Sequence, residues 1–372
     1  MTNKKDSVIY VTRPNLPPLA EFIPYLEKIW ERHILTNGGP FHQQLESELA
    51  EFLGVKHVAL FNNATIALIV ALRSLRIHGE VITTPFSFVA TSHALKWNNI
   101  TPVFVDIDPN TLNLDPAKIE AAITDKTTAI LPVHCYGQPA NVAAIKLIAD
   151  KYGLKVVYDA AHAFGVGDNR GSVLNFGDLS VLSFHATKVF NTFEGGAIIC
   201  HTQEMKDHID RLKNFGHDGE ISVIETGING KMSEINAAFG LLQLQHINSA
   251  IKERGRIDAA YRRAFEAVVG IECLKPAPGI SNYAYFPVLV NEDFPLSRDE
   301  LYDHLRRNGI HPRRYFYPLI SEFPMYRDLQ SANRLNLPVA ASAADRILCL
   351  PIYPDLDDLA VKRIVDLVAE QK

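Results

Sequence analysis

The sequence predicts an α/β fold: a large domain on a mostly parallel, mixed sheet, followed by a smaller C-terminal α+β domain. Three observations predict it. Between residues 57 and 200, short β-branched or apolar runs alternate with helical stretches, the pattern of a parallel sheet covered on both faces. After residue 230 the texture changes to a long, almost continuously helical stretch. At 372 residues the chain has room for two domains of about 100–200 residues each. The division expected is 1–249, with an amino-terminal arm included, and 250–372.

The elements follow in order. Pro14, Pro17 and Pro18 make residues 11–20 an extended arm. A helix at about 20–33 is broken by the turn-rich segment Leu35-Thr36-Asn37-Gly38-Gly39-Pro40. Leu45, Leu49 and Leu53, four apart, predict a helix over 41–53 that stops at Gly54. Strands are expected at 57–61, 81–84, 102–106, 128–133, 155–158, 180–184 and 197–200. Helices are expected at 65–77, 90–97, 115–123 and 140–152. The remainder reads as a helix over 231–268, a strand at 284–290 and a helix at 297–308. A Pro- and Tyr-rich loop at 312–326 and a terminal helix at 355–370 complete it.

Composition narrows the function. With 47% hydrophobic and 21% charged residues, the chain is an ordinary soluble one. A net charge of −5 argues against a nucleic-acid platform, which needs a basic face. The four cysteines, Cys135, Cys200, Cys273 and Cys349, show no C-x-x-C spacing and are expected to be reduced. The fourteen histidines contain no H-E-x-x-H, so no metal site is expected. Gly165, Gly167 and Gly171 lack the dinucleotide-binding spacing. No apolar leader and no run of about 18 apolar residues is seen, which makes the cytoplasm the expected location.

In parallel sheets, ligands bind beyond the carboxyl ends of the strands. Asp159 ends the run Leu154–Tyr158 and precedes Ala160-Ala161-His162. It reads either as a helix N-cap or as a carboxylate that holds a cationic group of a ligand. Lys188 follows Ser183-Phe184-His185-Ala186-Thr187 and precedes Glu194-Gly195-Gly196. A lysine is usually a solvated surface residue, but one near strand ends, once desolvated, becomes a nucleophile. Asn62-Asn63-Ala64-Thr65 opens a helix, whose first N–H groups make an anion site, or a plain N-cap. Phe88 is either core or a stacking partner for a flat ring. Together these supply a lysine for a carbonyl, a carboxylate for a ring nitrogen, a phosphate cup and an aromatic lid, the set that pyridoxal phosphate requires.

The chain also resembles the sugar aminotransferase family of the DegT/DnrJ/StrS type, fold-type I pyridoxal phosphate enzymes, over nearly its whole length. The matching stretches run Asn63 to Leu68, Pro85 to Thr91, Asp159 to Ala163, Ser183 to Lys188 with Glu194-Gly195-Gly196, and Gly227 to Glu234. Tyr317-Pro318-Leu319 and Leu350 to Pro354 fit the family's C-terminal domain. The resemblance implies that Lys188 joins the cofactor's aldehyde and shuttles a proton. Asp159 then pairs with the pyridinium nitrogen, and Phe88 stacks on the ring. The N–H groups of Ala64 and Thr65 and the hydroxyl of Ser183 hold the phosphate. Asn229 reaches the phosphate in the neighbouring subunit, which implies a homodimer with two shared sites. His162 stands where the family often has Gln, and can donate the same hydrogen bond to the phenolic oxygen. Ala64 replaces the usual Gly, and Lys231 the usual Arg.

The implied reaction moves an amino group from L-glutamate to a nucleotide-linked keto-sugar. Within the family, Leu35 to His42 and the Asn63–Leu68 stretch look most like enzymes that aminate C4 of dTDP-4-keto-6-deoxy-glucose. Asn37, Gly38 and Tyr317 are the expected substrate contacts. Arg306, Arg307, Arg313 and Arg314 are either a diphosphate site or a solvated cluster. C3 amination of a dTDP-3-keto-6-deoxyhexose and a non-catalytic cofactor-binding regulator are the alternatives.

Overall fold

A computed structural model describes residues 8–371. Most of the polar amino-terminal stretch on which the leader question turns lies outside them. The amino-terminal part comprises β1 (Ile9–Tyr10), α1 (Leu19–Arg32), α2 (Pro40–Leu53), β2 (His57–Phe61), α3 (Ala64–Ser74), β3 (Glu80–Thr83), α4 (Ala90–Trp97) and β4 (Thr101–Phe104). Next come α5 (Pro116–Ile119), β5 (Thr127–Leu131), α6 (Val142–Tyr152), β6 (Lys155–Asp159), β7 (Gly167–Asp168), β8 (Gly171–Ser172), β9 (Leu179–Ser183), β10 (Gly196–Cys200) and α7 (Gln203–Leu212). The rest is α8 (Glu234–Phe265), β11 (Ile271–Cys273), β12 (Phe286–Val290), α9 (Arg298–Arg307), β13 (Ile310–His311), α10 (Pro338–Arg346), β14 (Ile347–Leu350) and α11 (Asp358–Ala369).

The central sheet has seven strands in the order β2-β10-β9-β6-β5-β3-β4. β10 runs antiparallel to both its neighbours, and the remaining pairs are parallel. The sheet is therefore mixed and mostly parallel, as the alternation predicts. Its inner strands are buried on both faces: β9 and β10 are buried throughout, and β6 along Val156–Asp159. The carboxyl ends of β2, β3, β6 and β9 share one edge of the sheet with the start of β10. That edge carries Asn62–Thr65, Pro85–Phe88, Asp159–His162 and Ser183–Lys188.

The long α8 packs on α1 and α2, then continues to α11 and β11. The 249/250 division falls inside it. Beyond it, β11, β12 and β14 form an antiparallel sheet. The amino-terminal arm reaches this part of the molecule, because β1 pairs with β13 and Ile9 is buried among its apolar residues. The arm is two-residue pairing over a distance of three hundred residues, which local pattern cannot show. The short strands β7, β8, β11, β13 and β14 lie outside the expected list, and so do two helices. In α7, only Ile209 and Leu212 are buried, too few to print a period. In α10, alanines do the packing.

Candidate active site

Asp159 ends β6 and is buried, at 5% exposure. Its Oδ2 accepts a hydrogen bond from Thr91 Oγ1 (2.7 Å) and its Oδ1 one from the Ala161 N–H (3.1 Å). Burial pushes its carboxyl above the usual range; the bonds from Thr91 and Ala161 and the nearby Lys188 amine pull it back. The side chain is thus no N-cap of a long helix. It is a buried carboxyl group held by Thr91 and Ala161, with no salt bridge among the described residues.

Lys188 lies on the β9–β10 connection and is half-buried. Burial lowers its amine to about 8, against the attraction of Asp159. About a tenth of the amine is therefore uncharged at pH 7, far more than for an ordinary lysine, and the uncharged form is the one a nucleophile needs. Its Nζ donates to the Tyr285 hydroxyl at 3.4 Å. The small cavity beside it is walled by Ala161, His162, Ser183, Thr187, Asn282 and Tyr285. The structure therefore brings Lys188, His162 and Ser183 to one cavity, with Asp159 within electrostatic reach.

His162 is buried, and its Nδ1 accepts from the Tyr136 N–H at 3.2 Å. The ring proton consequently sits on Nε2. Desolvation first, and the Lys188 charge second, hold the imidazole well below its ordinary pKa, so it is neutral. A neutral ring with Nε2–H is a hydrogen-bond donor, the role expected of Gln at this position. The ring lies parallel to Phe316 (6.1 Å, 3°) and against Tyr285 (4.8 Å). Asn282 holds the turn behind it, donating to the carbonyls of His162 (2.8 Å) and Phe164 (3.0 Å).

At the start of α3, Asn63 Oδ1 accepts from the Ile66 N–H at 2.9 Å. The N–H groups of Ala64 and Thr65 have no partner among the described residues. They are open donors at the positive end of the helix, where an anion is favoured. Gly196 makes room for it: a Cβ there would lie 2.7 Å from the Ala64 nitrogen. Phe88, in the connection between β3 and α4, is 58% exposed, so it is not core.

The other expected residues stand apart from this cavity. Asn37 and Gly38 sit on a loop docked on the start of α8, where the Glu234 N–H donates to the Leu35 carbonyl (2.9 Å). Asn229 is exposed, and the Gly230 carbonyl beside it accepts from the Asn62 N–H of the same chain (2.8 Å). The Tyr317 ring is turned to the Arg298 guanidinium (4.5 Å). It is Phe316 and Tyr315 that meet His162 and Tyr285. Of the arginine cluster, Arg314 is spent on Asp299 (2.9 Å) and the Tyr302 ring (3.8 Å), and Arg306 on the Tyr302 hydroxyl (2.7 Å). Lys231 donates to Asn214 Oδ1 (2.8 Å). Sequence reasoning missed Thr91, Asn282 and Tyr285. Thr91 stood in a quoted stretch, but nothing local tied it to Asp159.

A model of the DegT/DnrJ/EryC1/StrS aminotransferase family matches residues 19–369. The chain belongs to that family. It is an aminotransferase, and its mixed-sheet and smaller α+β parts follow the family's fold. The chain is 57% identical over 365 residues to the dTDP-4-amino-4,6-dideoxy-D-glucose transaminase of Shigella dysenteriae, covering 98% of this chain and 99% of the relative. It is 58% identical over 368 residues to the transaminase of the same name from Escherichia coli, covering 98% of each. The structure of DesI in the presence of its TDP-sugar product matches with a TM-score of 0.93 at 36% identity, covering 98% of this chain and 93% of that one. Helicobacter pylori PseC, an aminotransferase involved in the biosynthesis of pseudoaminic acid, matches at 0.91 and 28%, covering 98% and 99%. No helix among the described residues is long and apolar enough to cross a membrane.

Proposed function

We propose that this aminotransferase moves the amino group of L-glutamate to C4 of dTDP-4-keto-6-deoxy-D-glucose, giving dTDP-4-amino-4,6-dideoxy-D-glucose, with pyridoxal phosphate as cofactor. The observation that carries the substrate is the 57–58% identity, end to end, with two transaminases named for that amino-sugar.

The donor set fits the cofactor. A buried carboxylate to which no cation bonds among the described residues suits a protonated ring nitrogen. A partly uncharged lysine suits an aldehyde, and two free N–H groups at a helix start suit a phosphate. Bound there, pyridoxal phosphate would supply an electron sink for the pair left when the amino donor loses its Cα proton. Lys188 would form the covalent link through Nζ and, when released, carry the proton to and from carbon. Asp159 would keep the ring nitrogen protonated, and the His162 Nε2–H would donate to the ring's phenolic oxygen. Ala64, Thr65 and Ser183 would hold the phosphate, and Phe88 would cover one face of the ring. Asn37, Gly38 and Tyr317 would contact the sugar nucleotide. Asn229 would complete the site of a second copy in a homodimer, consistent with its exposure.

The test is a visible spectrum of the loaded protein, taken before and after L-glutamate and again after the keto-sugar. Glutamate should bleach the cofactor band, and dTDP-4-keto-6-deoxy-D-glucose should restore it. Bleaching without recovery would refute the sugar assignment and move attention to 3-keto isomers. Lys188→Ala should abolish both the band and turnover, with the thermal midpoint of the cofactor-free protein unchanged within about 2 °C. An active Lys188→Ala protein would refute the role given to that amine.

A further inference from the structure

The Asp159 carboxylate is the end of a chain of three oxygen groups. Thr91 Oγ1 donates to Asp159 Oδ2 at 2.7 Å, and Ser87 Oγ lies 2.8 Å from Thr91 Oγ1. A threonine hydroxyl has one hydrogen, and an ionised carboxylate has none. Thr91 spends its hydrogen on Asp159, so Ser87 must donate to Thr91. The chain therefore runs in one direction, Ser87 to Thr91 to Asp159.

All three groups are out of water: Thr91 is 0% exposed, and Ser87 and Asp159 are each 5%. Water cannot readily replace either hydroxyl. Both lie on one short segment that leads into and opens α4, on either side of the exposed Phe88. The segment is tied together by the Thr91 N–H, which donates to the Phe88 carbonyl at 3.2 Å. The second carboxylate oxygen is held from the other side by the Ala161 N–H. The two oxygens are thus fixed by different elements, which sets the plane of the carboxylate as well as its place.

The chemistry of the donor matters. A buried carboxylate needs hydrogen bonds to remain an anion. An arginine or lysine would stabilise it but cancel its charge. A hydroxyl stabilises the anion and leaves the charge free for a cation on its open side. A second hydroxyl behind the first polarises it further. The titratable groups facing Asp159 are Lys188, from the β9–β10 connection, and Cys135, from the turn after β5.

We propose that Thr91, backed by Ser87, is a positioning residue that holds Asp159 as an oriented anion for the ring nitrogen of the cofactor. The proposal rests on the reading of Asp159 given above. It links the ring-covering Phe88 and the ring-nitrogen partner through one segment, so that one piece of backbone sets both.

Four variants test it: Thr91→Val, which keeps the shape and removes the donor, Thr91→Ser, Ser87→Ala and Asp159→Asn. In the cofactor-free protein, carbon NMR of labelled aspartate reads the Asp159 carboxyl directly. Thr91→Val should raise its titration midpoint by about one pH unit or more, the worth of one hydrogen bond to a charged group. In the loaded protein, Thr91→Val should weaken pyridoxal phosphate binding about 10-fold or more and lower kcat by a similar factor, with the sugar KM within about twofold. Thr91→Ser should restore all three to within about threefold, and Ser87→Ala should show the same changes at about a third of the size. A Thr91→Val protein matching the wild type in carboxyl midpoint and cofactor affinity would overturn the proposal, as would a Thr91→Ser protein no better than Thr91→Val. If Thr91→Val does not fold, Ser87→Ala decides: an unchanged carboxyl midpoint and affinity overturn the proposal. Asp159→Asn separates the two levels. If it collapses binding and turnover while Thr91→Val does nothing, only the relay fails. If Asp159→Asn is itself silent, the reading of Asp159 fails as well.

Discussion

The starts of α2 and α10 differ from the start of α3 in what their backbone N–H groups meet. Both α2 and α10 begin with a proline, which has no N–H, and their next two N–H groups are chelated by a distant carboxylate. For α2 the carboxylate is Glu234, which accepts from Phe41 (2.9 Å) and His42 (2.8 Å). For α10 it is Asp106, which accepts from Val339 (3.1 Å) and Ala340 (2.8 Å) and from Lys118 (2.8 Å). The start of α3 has no proline and no carboxylate. Its own Asn63 satisfies the third N–H and leaves the first two open. All three termini carry the same partial positive charge. Two are used to fasten distant parts of the chain, and the third keeps two N–H groups open among the described residues. A neutral cap is the condition: a carboxylate at position 63 would repel a phosphate from the same N–H groups.

Closing the open terminus should have the largest effect. Gly196→Val would press a side chain onto the first residue of α3 and should weaken pyridoxal phosphate binding about 100-fold, some 3 kcal/mol of lost contact. A cofactor titration by absorbance checks it, and undiminished affinity would break the comparison. Opening a closed terminus should act on stability instead. Glu234→Ala leaves two buried N–H groups without acceptors and should cost about 2–3 kcal/mol in denaturant unfolding. Tighter inorganic phosphate binding by this variant would show that α2 and α3 differ only in occupancy. Asn63→Ala should cost less, about 1 kcal/mol, because only the third N–H loses its partner. Its cofactor affinity should change by less than the Gly196→Val loss, and a greater change would give Asn63 a direct role. The smallest effect is one of pH. The Lys188 amine titrates at about 8, so its uncharged, reactive form grows as pH rises through that value. Stopped-flow association of pyridoxal phosphate with the cofactor-free protein should quicken about fivefold from pH 7 to 8. A flat profile would mean that anion capture at α3, which does not titrate there, limits the encounter.

Much of the site was legible because its parts are local. Asp159 and Ser183 each end an apolar run, Lys188 follows the second one closely, and Asn63 stands directly before a helical period. Each can be read within a few residues. Tyr285 was not legible because the strand pattern at 284–290 absorbs it, and Asn282 because it stands just before that pattern with no motif around it. Their contacts with Lys188 and the His162 turn span 97 and 120 residues. Tyr317, expected as a substrate contact from the family resemblance, has its ring on Arg298, while the neighbouring Phe316 faces His162. Which aromatic of three in a row turns inward depends on the backbone path of the loop, which side-chain type does not encode.

By itself, the sequence determined the alternation of strands and helices, a neutral cap at Asn63 or Thr65, and the residue types at the sheet edge. Period, capping and side-chain chemistry act over a handful of residues. The tertiary structure alone decided which N–H groups stay open, which nitrogen of His162 carries the proton, and which hydroxyl braces Asp159. Each of these depends on a partner far along the chain: 26 residues for Tyr136 and His162, 68 for Thr91 and Asp159, and 192 for His42 and Glu234. Hydrogen-bond accounting inside a protein closes only when the distant acceptor or donor has arrived.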